Sequence, residues 1–287
     1  MLHFMTLTLF FLSIHRVNMC PLNLTFSACG FLGIYHLGAA VALHRHGTKL
    51  LSKIQNYAGA SGGALVAAVL LSHPEKLEQC KEFTYRFAAD VRNQRLGAIT
   101  PGYDFMKHLR EGIEFILSAD AHKKAHTRLH VSITNAKTLK NCLISSYLTR
   151  EDLITVLLAS SFVPFYAGIK PVQYKGETWI DGGLTNRLPI LSTGQTTTVS
   201  PFSGKLDICP QDKSQITLSI KIAKQDFIDL GCAPAHTHTH ERLQFADKDS
   251  TCGRDWTVLV QLGIGYCHAF LSKDHKYCRG HVEETTS

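Results

Sequence analysis

Two stretches near the start of the chain share one grammar: a short apolar segment, a cluster of residues with little side chain, then a run with helical apolar spacing. Asn23-Leu-Thr-Phe-Ser27 alternates as a short buried strand does, and Ala28-Cys-Gly-Phe-Leu-Gly33 is the turn. Ile34 to His46 then carries Leu37, Ala40 and Val41 on one helical face until Gly47 stops it. Ile54 to Ala58, Gly59 to Gly63 and Ala64 to Ser72 repeat the scheme, broken at Pro74. Such units bury their strands by pairing them side by side and covering the sheet with the helices, so the expected fold is an α/β sandwich with a largely parallel central sheet. Sites in such sheets lie beyond the carboxyl ends of the strands, where these glycine turns should converge.

Further along, Glu75 to Arg92 has the spacing of an amphipathic surface helix. Leu129 to Thr134 and Cys142 to Leu148 read as a hairpin-like pair of strands, and Thr149-Arg-Glu-Asp152 as a capping box opening a helix. Glu177 to Ile180 is a strand running into Asp181-Gly182-Gly183, and Thr197 to Val199 and Ile216 to Ile222 are further strands. Beyond Gln225 periodicity fades while His, Cys and Thr are over-used. The expected division is an apolar extension over 1–22, a catalytic domain over 23–224 and a weakly structured tail over 225–287. The apolar run near the N-terminus is shorter than the about 20 residues of a membrane span. It reads as an extension without structural role, a membrane-seeking anchor or a signal segment, although no Lys or Arg precedes it.

Composition narrows the functional classes. The formal net charge is +7, which tolerates anionic surfaces such as phospholipid, yet no basic-and-aromatic stripe suggests nucleic acid. Nine cysteines without CxxC spacing fit neither a zinc ribbon nor a disulfide framework, and reduced thiols in the cytoplasm are the simplest reading.

Gly59-Ala-Ser-Gly-Gly63 matches G-x-S-x-G. At a sharp strand-to-helix elbow the flanking residues must lack bulk, and the helix directs its amino-terminal dipole at Ser61. Small-residue turns produce the same pattern by chance, so a nucleophile and a structural turn both remain open on the motif alone. Cys29, Gly30, Phe31 and Gly33 offer a second run of backbone N–H groups at a helix start, suited to a developing oxyanion. A dinucleotide loop is disfavoured there, because Ala28 stands where G-x-G-x-x-G needs glycine and no acidic residue lies near position 50. A phosphate-binding loop lacks its Gly-Lys-Ser/Thr. A hydroxyl nucleophile needs a base, and Asp181 before Gly182 and Gly183 is the leading candidate.

A glycine-rich loop, G-x-S-x-G and Asp-Gly-Gly, in that order, resemble the patatin-like phospholipases. Ala159-Ser-Ser-Phe-Val-Pro-Phe165 resembles that family's Ser-rich, Val-Pro segment before the aspartate strand. The resemblance covers about 23–224 and implies a three-layer α/β/α sandwich and a lipid acyl hydrolase using a Ser–Asp dyad without metal or cofactor. Carried over by position, Ser61 is the nucleophile, Asp181 the base, Gly59, Gly62 and Gly63 the elbow, and Cys29, Gly30, Phe31 and Gly33 the oxyanion loop. Ala28 and Cys29 depart from the family's glycines, and Gly62 with Gly63 makes the elbow more flexible than usual. The substrates implied are neutral lipid esters, triacylglycerol and retinyl esters, with phospholipase or transacylase activity, at lipid droplets or membranes in the cytoplasm.

Two rivals stand beside this reading. A Ser–Asp–His triad would draw its histidine from His236, His238 or His240, residues that could alternatively bind metal. A catalytically inactive protein bound to lipid droplets or membranes would keep the fold without the chemistry.

Overall fold

The structure is a computed structural model describing residues 21–204 and 206–210, together with the backbone of Thr217–Ile222 and Gln225–Gly231. The strands are β1 (Leu22–Phe26), β2 (Ile54–Ala60), β3 (Leu129–Asn135), β4 (Asn141–Ile144), β5 (Val172–Tyr174), β6 (Glu177–Asp181), β7 (Gln195–Val199), β8 (Thr217–Ile222) and β9 (Gln225–Gly231). The helices are α1 (Gly33–His46), α2 (Thr48–Leu51), α3 (Gly62–Ser72), α4 (Leu77–Asn93), α5 (Phe105–Ile116), α6 (Ala121–Ala125) and α7 (Arg150–Ser160).

The fold is α/β, with a central sheet flanked by helices and ordered β5-β6-β3-β2-β1-β7, β4 also pairing with β3. The strands β7, β1, β2 and β3 run parallel, whereas β4 and β6 pair antiparallel with β3 and β5 pairs antiparallel with β6. Helices α1 and α3 are apolar on almost every side because both are enclosed, α3 against β1, β2 and β3 and α1 against α3 and α4, and Leu37, Ala40, Ala64 and Ala67 are all buried. The capping box is present: the Thr149 hydroxyl accepts from Asp152 N–H and the Asp152 carboxylate accepts from Thr149 N–H.

The register of β3 positions the two ends that matter. Val131 and Ser132 pair with Gly59 and Ala60 on β2 while also pairing with Ile144 and Leu143 on β4. Ile133 and Thr134 pair with Asp181 and Ile180 on β6 while also pairing with Cys142 and Asn141 on β4. A strand edge accepts one neighbour at each position, so β2 and β6 share the edge opposite β4, one after the other along β3. Since β2 runs with β3 and β6 against it, their carboxyl ends meet head-on. Ala60 stands beside Ser132, and Asp181 beside Ile133.

The structure departs from the sequence expectations in several places. The strand expected to reach Leu148 ends at Ile144, because the buried Tyr147 ring pulls the chain inward and its hydroxyl donates to Ile144 O at 2.7 Å. The expected helix from Glu75 opens with a 3-10 turn at Pro74–Lys76 before α4. Helix α5 was not anticipated, although the Asp104 carboxylate accepts from Lys107 N–H in an ordinary N-cap. On either side of position 224 the described backbone forms the antiparallel hairpin β8–β9, and the remaining residues of both terminal segments lie outside those described.

Candidate active site

The elbow begins where β2 has nowhere further to go. Ala60 is its last residue, Gly62 opens α3, and Ser61 makes the whole reversal alone at φ 54°, ψ −131°. That backbone region is close to glycine-only and costs roughly 1–3 kcal/mol for a residue with a side chain, so the surroundings must enforce it. They do so by packing main chain on main chain. A Cβ on Gly63 would lie 2.3 Å from Ser27 O, so α3 sits directly against the end of β1. Gly59 faces Ala64 N, and Gly62 faces Gly30 O, with equally little room. Ser61 N–H donates to the Ser160 hydroxyl at 2.8 Å, which donates on to Ser132 O at 2.7 Å. This relay ties the elbow to both α7 and β3.

Asp181 arrives from the opposite direction. Its N–H donates to Phe162 O at 2.8 Å, and its carbonyl accepts from the Thr134 hydroxyl at 2.7 Å. Gly182 then crosses the edge of β3 so closely that a Cβ would lie 1.9 Å from Ser132 O. The Asp181 carboxylate accepts from Gly183 N–H at 2.6 Å, and the Ser61 hydroxyl is near enough to favour its ionised form. Burial pushes the carboxyl up to about 6, against the opposing pull of the Ser61 hydroxyl and Gly183 N–H. A buried carboxylate in contact with one hydroxyl is the arrangement a general base requires.

The third turn lies alongside. Gly30 holds φ at 54° with nothing within 4 Å of a Cβ, and its carbonyl accepts from Gly33 N–H, closing a single 3-10 turn. Gly33 therefore shapes this loop and begins α1. Cys29 brings its sulfur within 3.3 Å of the Gly62 Cβ direction, and Phe31 turns toward Phe87 and Phe105. Gly62 and Gly63, in the first turn of α3, direct N–H groups that lack an intrahelical acceptor toward the same end of the helix. The three turns thus gather at one rim of the sheet, as their positions in the sequence predicted.

Beneath Ser61 opens a cavity of ≈ 310 Å³, within the usual size of small-molecule sites. Leu65 and Val69 on α3, Phe83 and Phe87 on α4, and Leu109 and Ile113 on α5 line it. Its surface is apolar almost throughout, and an aliphatic chain is the ligand such walls accept with least loss.

Several supporting residues had no role assigned from the sequence, Ser160 standing out only as a member of the Ser-rich segment. Ser132, Thr134, Asn141, Ser160 and Thr185 form one network behind the rim: Asn141 Nδ2 donates to Ser132 Oγ at 2.8 Å and to Thr185 Oγ1 at 2.9 Å. Each is a common polar residue until the strands are paired. His36 was visible only as a member of a helix. Fully buried, with its titration lowered to about 4 by burial, it donates from Nε2 to Ser27 O at 2.9 Å and braces the Cys29–Gly33 loop from behind. His236, His238 and His240 lie outside the described residues, among which no cluster of metal-ligating side chains occurs. The described cysteines Cys29, Cys80, Cys142 and Cys209 are thiols rather than halves of disulfides. Among the described residues no helix is long and apolar enough to cross a membrane.

Comparison with known proteins agrees with this geometry. The family model for patatin-like phospholipase matches residues 24–193. Human patatin-like phospholipase domain-containing protein 4 is 64% identical over 207 residues, spanning 72% of this chain and 82% of that protein. Mouse patatin-like phospholipase domain-containing protein 2 is 36% identical over 192 residues, spanning 67% of this chain and 39% of that protein. The human 1-acylglycerol-3-phosphate O-acyltransferase PNPLA3 is 35% identical over 202 residues, spanning 70% and 42% respectively. This chain therefore covers less than half the length of the latter two. The length of the family match, with a relative so similar across most of its own length, shows that the chain belongs to the patatin-like phospholipase family.

Proposed function

We propose that the protein is a lipid acyl hydrolase working through a Ser61–Asp181 dyad, with neutral lipid esters, triacylglycerol or retinyl ester, as substrates. The observation that carries the reading is a strained elbow serine, Ser61, beside the buried Asp181 carboxylate whose titration its hydroxyl lowers, both next to an apolar cavity. As Ser61 Oγ attacks the ester carbonyl, its proton passes to Asp181 and the new oxyanion faces the N–H groups of the elbow and of the Cys29–Gly33 loop. Collapse breaks the bond to the leaving alkoxide, which takes the proton from Asp181 and departs as an alcohol. The acyl chain remains esterified to Ser61 and lies along the cavity. Water, deprotonated by Asp181, attacks the acyl carbonyl; the bond to Ser61 Oγ breaks, Asp181 returns the proton to that oxygen, and the fatty acid leaves. A second alcohol in place of water gives transacylation, in keeping with the acyltransferase name of one relative. Phospholipase activity needs only a different leaving group. The same chemistry at lipid droplets or membranes fits the apolar cavity.

A fluorophosphonate probe tests the dyad without knowledge of the substrate. Wild type is expected to label, Ser61→Ala not at all, and Asp181→Asn far more slowly. Equal labelling of all three would exclude the dyad. A wild-type chain that neither labels nor cleaves esters, yet binds lipid, would turn the assignment to a non-catalytic binding protein.

A further inference from the structure

Exposed large apolar side chains are ordinary when scattered, but Val163, Phe165, Tyr166 and Ile169 fall within seven consecutive residues. Phe165 and Ile169 are the extremes, 82% and 85% exposed. The loop that carries them is a built turn. Ala167 N–H donates to Val163 O at 2.8 Å and Phe165 N–H to Gly168 O at 2.9 Å, while Gly168 rests on the buried Phe162 ring. Phe165 itself is held at φ 68°, a region that bulky residues rarely occupy. Backbone strain is thus tolerated in order to hold an aromatic ring in solvent.

The two sides of the loop face different surroundings. Val163 and Tyr166 line the mouth of the cavity, and Tyr166 sits edge-on to Phe105 at 5.4 Å. Phe165 and Ile169 stand away from the cavity lining. Exposed Lys170 directly follows Ile169, and exposed Lys107 lies two residues beyond Phe105, the ring Tyr166 meets, with the neighbouring carboxylate Asp104 engaged in capping its own helix. A soluble ester needs no such rim. A lipid assembly does, because its acyl layer can cover Phe165 and Ile169 while one chain passes Val163 and Tyr166 into the cavity, and its phosphates meet the lysines.

Resting on the hydrolase reading for the role of the cavity, we infer that the Val163–Ile169 loop is the element by which this protein seats on an anionic phospholipid surface, Phe165 and Ile169 entering the acyl region. The test uses the full chain carrying Ser61→Ala, so that lipid is not consumed, and phosphatidylcholine vesicles with and without phosphatidylserine. Phe165→Asn with Ile169→Ser preserves the turn, since Asn tolerates left-handed backbone, and removes both apolar tips. Its partition onto vesicles is expected to fall at least about tenfold, the loss expected when two apolar side chains no longer enter the acyl layer. In protein with Ser61 intact, the same pair should leave hydrolysis of a soluble short-chain ester unchanged.

A second measurement stands apart from the stability of that variant. In Phe165→Trp, vesicles should shift the emission of the added indole to the blue, and lipids brominated on their acyl chains should quench it. Unchanged partition of the double variant, an indole emission neither shifted nor quenched, or a chain that binds no vesicles would each overturn the inference. So would loss of self-association in the double variant with vesicle binding intact, since that would make the loop a contact between copies. If wild type cleaves no ester but binds vesicles through Phe165, the surface stands and the hydrolase reading falls.

Discussion

Gly182 and Gly112 are both denied a side chain, but by different neighbours. At Gly182 a Cβ would meet Ser132 O at 1.9 Å, main chain against main chain, where β6 crosses the edge of β3. At Gly112, in the cavity wall, it would meet the Phe83 ring at 2.0 Å, and that ring can swing. The rim holding Ser61 and Asp181 is therefore fixed by backbone contacts that cannot give. The wall that would receive an acyl chain is set by side chains stacked on one another, Phe83 on Phe87 at 5.5 Å and Phe87 near Phe105 at 4.9 Å. Geometry of the chemistry and volume for the substrate are separable properties of this fold.

That separation can be broken most forcefully at the glycines themselves. Gly182→Ala is expected to lose more than about 4 kcal/mol of folding stability, enough to prevent accumulation of folded protein. Gly112→Ala should lose only about 1–2 kcal/mol as Phe83 moves aside. Chemical denaturation of the two variants checks the contrast, and equal losses would dissolve it.

Asp181→Asn should lower turnover by roughly 10³-fold, the usual scale for a lost general base. In wild type, activity should rise as pH climbs through about 6, where Asp181 ionises. Stability runs the other way. The unfolded carboxyl titrates near 3.8 and the folded one near 6, so between these values the folded chain holds the extra proton and stability falls as pH rises. Above that window Asp181→Asn should be more stable than wild type by roughly 2–3 kcal/mol. Thermal melts of both proteins across the range measure it, and a flat difference would place the carboxyl outside this environment.

Ser160→Ala removes the acceptor of Ser61 N–H and should reduce turnover about tenfold with little change in KM, because it positions the elbow and touches no substrate. The smallest effect belongs to the wall. Phe83→Ala should leave short-ester hydrolysis within about twofold while shifting preference toward longer or bulkier acyl chains, since only cavity volume changes. A large fall on short esters would show that rim and wall are coupled after all.

The residues proposed to carry the chemistry were legible before any strand was paired. G-x-S-x-G and Asp-Gly-Gly announce themselves because a sharp turn at a sheet edge admits almost no other residues, and strain of that kind is written in local composition. The parallel core was legible for a similar reason, in segments that were apolar, short and followed by helical spacing. The roles of Ser132, Ser160 and His36 were not, because a hydroxyl or an imidazole means nothing until its acceptor arrives, 54, 28 and 9 residues away respectively. Helix α5 escaped although Asp104 caps it and Phe105, Leu109, Ile113 and Ile116 recur at helical spacing; what no local signal marked was that Phe83 would lie against Gly112.

By itself the sequence determined which residues are proposed to react and that they would stand at strand ends, since both readings follow from steric limits acting over a few neighbouring positions. Only the tertiary structure decided that β2 and β6 share one edge of β3 and meet head-on, bringing a hydroxyl to a carboxylate from opposite directions. Register is a property of paired strands, and no single strand contains it.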